Sequence, residues 1–242
     1  MLHYRLRHVF KPLLLSFVQP SDTSAKALKA GAARNAGCPD DMTCPHFSSH
    51  LPSALISRSC TLHVRSFATG ESLHQEAFTA AAPAGPAGAI AKKFKTLDLF
   101  SKAGAGCDTA AACWLTADCA ATAAASQAVG GAEVDVEEAE DFPTSLAQAL
   151  LLPVKVSITR LKMAAAGGSS LSFDASVNTT APFTFFSCEL NGVFSDNSLT
   201  LRPGKPLTLT FTPSGSEAIP SVAAFRQATR IYTINNKAPQ LL

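Results

Sequence analysis

From position 154 onward, apolar and polar residues alternate. Val154, Val156 and Ile158 interleave with Lys155, Ser157 and Thr159, the period-two pattern of a strand with one buried face. Further strands follow at short intervals, each set off by turn chemistry. Residues 171–177 come after Gly167 and Gly168, 183–190 after Pro182, 207–212 between Pro206 and Pro213, and 222–232 close the series. Short strands separated by Gly and Pro predict an antiparallel sandwich in this half of the chain.

The first half is less regular. Strand signals stand at residues 61–67, where Leu62, Val64 and Ser66 alternate with His63, Arg65 and Phe67, and in the apolar run Cys113, Trp114, Leu115. Residues 92–100 place Phe94, Leu97 and Leu99 around a helical turn or a short strand. Alanine-rich stretches at 80–91, 110–112 and 120–128 read on propensity alone as helix or flexible linker. The acidic run at 133–141 reads as a charged, solvated connector. The fold class expected from these patterns is all-β, with an antiparallel β-sandwich in the second half and an irregular first half carrying Ala-rich insertions. The expected boundaries are 1–20 for an entry segment with a first strand, 21–57 for a poorly ordered linker, 58–150 for the first domain and 151–242 for the second.

Charge and length narrow the function classes. The 242 residues carry 20 basic and 18 acidic side chains, so nothing favours a nucleic-acid backbone or an anionic membrane as partner. The apolar run Pro12 to Leu15 with Phe17 and Val18 is too short for a bilayer, which takes about 20 residues. The basic first turns lead into that run as a signal peptide would, and the stretch to Arg34 has only Asp22 as an acid, as in a transit peptide. Neither is the preferred reading, because Ser21, Asp22 and Thr23 follow where a cleavage site needs small apolar residues.

Seven cysteines stand at 38, 44, 60, 107, 113, 119 and 188, an odd number that leaves at least one thiol without an intrachain partner. No Cys-x-x-Cys pair occurs, so a zinc site is not expected. The alternatives are a local disulfide between Cys107 and Cys113 and buried free thiols elsewhere. Asn178-Thr179-Thr180 is a glycosylation sequon suited to a surface turn. Glu71, Glu76, Glu189 and Glu217 stand singly, with no nucleophile elbow, phosphate loop or His-Glu-x-x-His helix beside them.

The segment from Thr179-Thr180-Ala181-Pro182-Phe183 through Gly192-Val193-Phe194-Ser195-Asp196-Asn197 to Arg202-Pro203-Gly204, with its closing Leu207-Thr208-Leu209-Thr210-Phe211, resembles the C-terminal Ig-like domain of β-mannosidases. Met1 to Tyr4 with Phe10 to Leu14 resembles the exit from the barrel of such enzymes. Residues 61–66 resemble a strand of their intervening Ig-like domain, and Cys107 and Cys113 fall where the lysosomal-type enzymes carry a close cysteine pair. Val193 departs from the family, which commonly has arginine there.

The resemblance implies two Ig-like β-sandwich domains in tandem, the C-terminal accessory region of a glycoside hydrolase that acts on terminal β-D-mannosides, in a lysosomal or secreted setting. Its partner would be a catalytic barrel on a longer chain, with an oligosaccharide as ligand. A retaining glycosidase needs two carboxyl groups about 5 to 5.5 Å apart, supplied in this family by a (β/α)₈ barrel of about 250 residues, for which these 242 residues leave no room. No catalytic, cofactor-binding or metal residue is therefore expected. The rival expectations are a carbohydrate-binding or adhesion module, which would need exposed rings from Trp114, Tyr4 or Tyr232, and a truncated gene product. Phe194, Ser195, Asp196 and Asn197 read as a corner, in which the ring buries itself while Ser, Asp and Asn bond nearby backbone. The alternative, less favoured because such side chains at turns are usually structural, is a sugar contact through Asp196 and Asn197.

Overall fold

The computed structural model describes residues 13–18, 38–39, 41–49, 56–82, 88–120, 138–144, 146–163, 170–214, 219 and 221–242. The described residues divide into two compact units. The C-terminal unit is Leu150–Leu242 with Phe67–Gly70, and the remainder forms the N-terminal unit. No described helix is long and apolar enough to cross a membrane.

The N-terminal unit contains β1 (Leu13–Val18), β2 (Met42–Ser49), β3 (Ile56–Ser66), β4 (Ser72–Ala82), β5 (Gly88–Ile90), β6 (Phe94–Lys95), helix α1 (Thr96–Ala103), β7 (Cys113–Cys119) and β8 (Ala139–Asp141). One sheet runs β1-β2-β5 with β6 also paired to β2, and the other runs β4-β3-β7-β8. All pairings are antiparallel. Side chains of alternating positions meet between the sheets: Leu15 and Phe47 from one, Leu62, Val64, Phe78, Leu115 and Ala117 from the other. Leu99 and Phe100 of α1 join that core. Cys60 and Cys119 face each other across β3 and β7 and are disulfide-bonded, as are Cys38 with Cys44 and Cys107 with Cys113.

The C-terminal unit contains β9 (Val156–Met163), β10 (Leu171–Val177), β11 (Ala181–Cys188), β12 (Gly192–Phe194), β13 (Leu199–Leu201), β14 (Leu207–Pro213), helix α2 (Val222–Ala228), β15 (Thr229–Tyr232) and β16 (Gln240–Leu241). Its sheets run β12-β14-β10-β9 and β13-β11-β15-β16. With β9, β10, β14 and β12 as strands A, B, E and D, and β11, β15 and β16 as C, F and G, this is the Ig arrangement with β13 added at one edge. The start of β9 is closed by side-chain amides acting as peptide groups. Asn236 exchanges two hydrogen bonds with Val154, at 3.1 and 2.7 Å. Gln240 does the same with Val156, and Asn178 Oδ1 accepts from Lys155 N at 2.7 Å. Backbone groups that would otherwise invite another strand are thereby occupied.

Four expectations need correction. Residues 222–232 are not one strand: Ser221 Oγ accepts from Ala224 N and caps α2, and only Thr229–Tyr232 is extended. The stretch 21–57 is not all linker, since Met42–Ser49 pairs with β1 on one side and β5 on the other, burying Cys44 and Phe47 completely. Its Pro45 lacks an N–H and hides the strand pattern. The rest of 21–57, apart from Cys38, Pro39, Asp41 and residues 56–57, lies outside the described residues. The acidic run ends not as a connector but in a strand, Ala139–Asp141, which pairs with β7. Finally, Cys38, Cys44, Cys60 and Cys119 are paired rather than free, and Cys188 alone remains a thiol.

Among the alanine-rich stretches, Ala80–Ala82 belongs to β4, where Ala80 is wholly buried opposite Arg58. Residues 110–112 form a 3₁₀ turn. Residues 121–128 lie outside the described residues, as do Met1, Tyr4 and Phe10 of the barrel-exit resemblance.

Candidate functional site

The corner Phe194-Ser195-Asp196-Asn197 joins β12 to β13. Phe194 sits among four other phenylalanine rings, with centroids 5.1 Å from Phe211, 5.8 Å from Phe186, 6.3 Å from Phe173 and 6.4 Å from Phe225. Asn197 is buried and works as a peptide mimic. Its Oδ1 accepts from Phe186 N and its Nδ2 donates to Phe186 O, each at 2.7 Å. The same Oδ1 accepts from Ser198 N, and Ser198 takes a positive φ of 62°.

Asp196 Oδ1 accepts from Asn197 N at 2.7 Å, while Ser195 Oγ accepts from Thr210 N at 3.0 Å. Gly192 opens the motif because a Cβ there would stand 2.6 Å from the Thr212 carbonyl oxygen. Each polar atom named is engaged with nearby backbone, so the corner is a device for turning the chain.

A second constellation, which the sequence reading did not single out, lies on the outer face of β4-β3-β7. His63 Nδ1 is 3.0 Å from Ser72 Oγ, and His63 Nε2 is 3.0 Å from Asp118 Oδ2. Arg65, two residues along β3, donates to Thr116 Oγ1 at 2.8 Å and to Glu138 Oε1 at 3.3 Å. The groups meet because Thr61 pairs with Asp118, His63 with Thr116 and Arg65 with Ser72, which puts all of them on one side of the sheet. Only the alternation of His63 and Arg65 with Leu62 and Val64 was visible in the sequence. The cross-strand partners depend on register.

Ser, His and Asp in one hydrogen-bonded chain invite an acyl-transfer reading, which the geometry does not support. In such enzymes serine bonds Nε2 and aspartate bonds Nδ1; here the order is inverted. Ser72 is also a ladder residue opposite Arg65, with a second hydrogen bond to the His74 carbonyl oxygen at 3.1 Å. The set clamps three strands together.

Burial, reinforced by the neighbouring Arg65 charge, lowers the His63 pKa against the opposing pull of Asp118 and Glu138. Burial likewise lowers that of His46, against a bond to the Gly88 backbone. An unfolded histidine takes up protons below about pH 6.5, where these two folded ones resist, so stability falls as pH falls through that range. Between pH 7.5 and 5.5 the N-terminal unit is expected to melt at progressively lower temperature, and His63→Gln together with His46→Gln should flatten that dependence. Thermal unfolding followed by Trp114 fluorescence measures it. An unchanged slope in the double variant would show that neither histidine is the source.

Glu76 is held below the usual carboxylate range, first by the hydrogen bond from Lys102 and then by His74 and Lys92. Lys102 is exposed and Glu76 partly so, which makes this cluster a solvated ion-pair network. The concavity beside α1, lined by Leu97, Phe100, Cys107, Asp108 and Ala110 among others, offers one carboxylate, where a retaining glycosidase needs two. Among the described residues no group of three or more His, Cys, Asp and Glu is placed to hold a metal ion. Trp114 is completely buried, Tyr232 is 44% exposed, and Tyr4 lies outside the described residues. Asn178 is an exposed residue of the β10–β11 connection.

Residues 153–237 match the family model of the mannosidase Ig-fold domain. The match lies within the C-terminal unit and includes the Phe194–Asn197 corner, in keeping with the Ig strand arrangement of that unit. Among solved structures, the β-D-mannosidase of Dictyoglomus thermophilum is similar over 96% of this chain and 23% of its own, at 10% identity and a TM-score of 0.58. An exo-chitosanase of Amycolatopsis orientalis aligns over 99% of this chain and 27% of its own, at 15% identity and a TM-score of 0.48. The chain thus spans about a quarter of the length of the solved proteins it resembles. No curated protein sequence matches it.

Proposed function

We propose that this chain acts as the C-terminal accessory region of a β-mannosidase-like glycoside hydrolase and is non-catalytic by itself. In that reading its two sandwiches stand beside a (β/α)₈ barrel, which carries the two glutamates that hydrolyse terminal β-D-mannosides with retention. The observation that carries the reading is the match of residues 153–237 to the mannosidase Ig-fold domain. It spans the same corner whose glycine, phenylalanine and asparagine each have a packing or bonding role. A secreted or lysosomal location accords with three disulfides in one small chain, which persist in oxidising compartments.

A free-standing carbohydrate-binding module is the weaker reading, because Trp114 is buried and cannot serve as a sugar platform. The purified chain, incubated with a panel of β-mannosides and mannan oligosaccharides, should release no product and show no heat of binding. Turnover would overturn the reading, since it would require a carboxylate pair in this chain. Binding without turnover would favour the carbohydrate module instead.

A further inference from the structure

We infer that Asn178 is an N-glycan acceptor, modified when the chain passes through a secretory compartment. The inference does not depend on the glycosidase reading. Of the six asparagines only Asn178 begins an Asn-x-Ser/Thr triplet, completed by Thr180. Asn178 is exposed and turns the chain from β10 to β11. Its Oδ1 is fixed by the Lys155 N–H at 2.7 Å. The amide is thus anchored through its oxygen, while Nδ2, the atom that would carry the sugar, has no partner among the described residues.

Thr180 supplies the second and independent observation. It is completely buried, yet its Oγ1 finds no hydrogen-bond partner among the described residues. A buried, unpaired hydroxyl costs stability, and valine would fill the same volume without it. The neighbouring Thr179 is different, because its hydroxyl donates to the Phe67 and Ala68 carbonyl oxygens of the same unit at 3.2 and 3.1 Å. The Thr179 hydroxyl is used by the fold, whereas that of Thr180 bonds to nothing among the described residues. A glycosyl transferase reading the extended chain does use it, as the third position of the acceptor triplet. Three disulfides accord with an oxidising compartment of the kind where that transfer occurs.

The transfer requires a polyprenyl-pyrophosphate-linked oligosaccharide as donor. A bond forms between the anomeric carbon of the sugar and Nδ2, the bond from that carbon to the pyrophosphate oxygen breaks, Nδ2 loses a proton to a base, and the lipid pyrophosphate leaves with the bonding electron pair. Asn178→Asp removes the acceptor nitrogen and keeps an oxygen for Lys155. Thr180→Val removes the hydroxyl at the third position, and Thr180→Ser keeps it.

The test translates the full chain, preceded by a cleavable leader, into microsomes bearing the donor, so that modification is read on nascent chains whether or not a variant folds. The parent and Thr180→Ser should show one glycan's loss of mobility, reversed by peptide-N-glycosidase with conversion of Asn178 to aspartate in the peptide mass. Asn178→Asp and Thr180→Val should show none. When both chains are produced without the donor, so that neither carries a glycan and Asn178 stays an amide, Thr180→Val should melt at the temperature of the parent or higher. An unmodified parent overturns the inference. So does a Thr180→Val chain that keeps the glycan, or one that melts well below the parent when neither has been glycosylated, because the hydroxyl would then have a structural role.

Discussion

Replacing Phe194 with alanine is expected to destabilise the C-terminal unit by about 3 to 5 kcal/mol, the range for deleting a buried aromatic ring. The ring is 5% exposed and lies between both sheets and α2, touching the clusters of Phe173, Phe186, Phe211 and Phe225 at once. Those rings come from four different elements and cannot all close on the cavity. For a unit of this size the loss corresponds to a fall in melting temperature on the order of 15 °C or more. The adjacent Val193 is 53% exposed, so Val193→Arg should change stability by no more than about 0.5 kcal/mol. Hydrogen exchange of the Phe186 and Phe211 amides, followed against denaturant, reads this unit alone. A Phe194→Ala chain within about 1 kcal/mol of the parent would mean that the cluster is not the centre of the fold.

Removing the Cys60–Cys119 disulfide by a double alanine substitution should cost the N-terminal unit about 4 kcal/mol. The bridge joins residues 59 positions apart, and loop-closure entropy rises with the length enclosed. The Cys38–Cys44 and Cys107–Cys113 bridges each span only 6 positions, and losing either should cost about 2 kcal/mol. Trp114, the single tryptophan, stands on β7 five residues before Cys119 and reports this unit during denaturation. If all three double variants lost the same stability, the entropic account of the ranking would fail.

The two halves of the chain differ in how openly their sequences declare them. In the second, alternation and turn residues marked β9, β10, β11 and β14, and the corner motif stood out because glycine, an aromatic ring and three small polar residues follow one another. The same signals misled at 222–232, which reads as one strand. The Ser221 cap and the burial of Phe225 against the aromatic cluster make the segment a helix. In the first half, β2 was concealed by Pro45 and by short polar side chains. It exists because β1 and β5 flank it, a pairing between segments distant in sequence.

The polar groups show the same division. That Asn197 turns a corner was legible; that it exchanges two bonds with Phe186 was not, since an amide looks the same whatever lies opposite. Asn236 and Gln240 carried no signal in the sequence, because their partners at Val154 and Val156 are more than eighty residues away. His63, Ser72 and Asp118 likewise come from three strands and converge only when the register is set.

The sequence by itself determined the all-β class, the sandwich of the second half, the Phe194–Asn197 corner and the odd cysteine, because each rests on local periodicity, on turn propensity or on a count. Only the tertiary structure decided the Cys38–Cys44 and Cys60–Cys119 pairings, the strand at Met42–Ser49, the amide clasps at the start of β9 and the unpaired hydroxyl of Thr180 among the described residues. Each of those depends on which distant atom comes within about 3 Å, and that distance is fixed by packing and register rather than by neighbours along the chain.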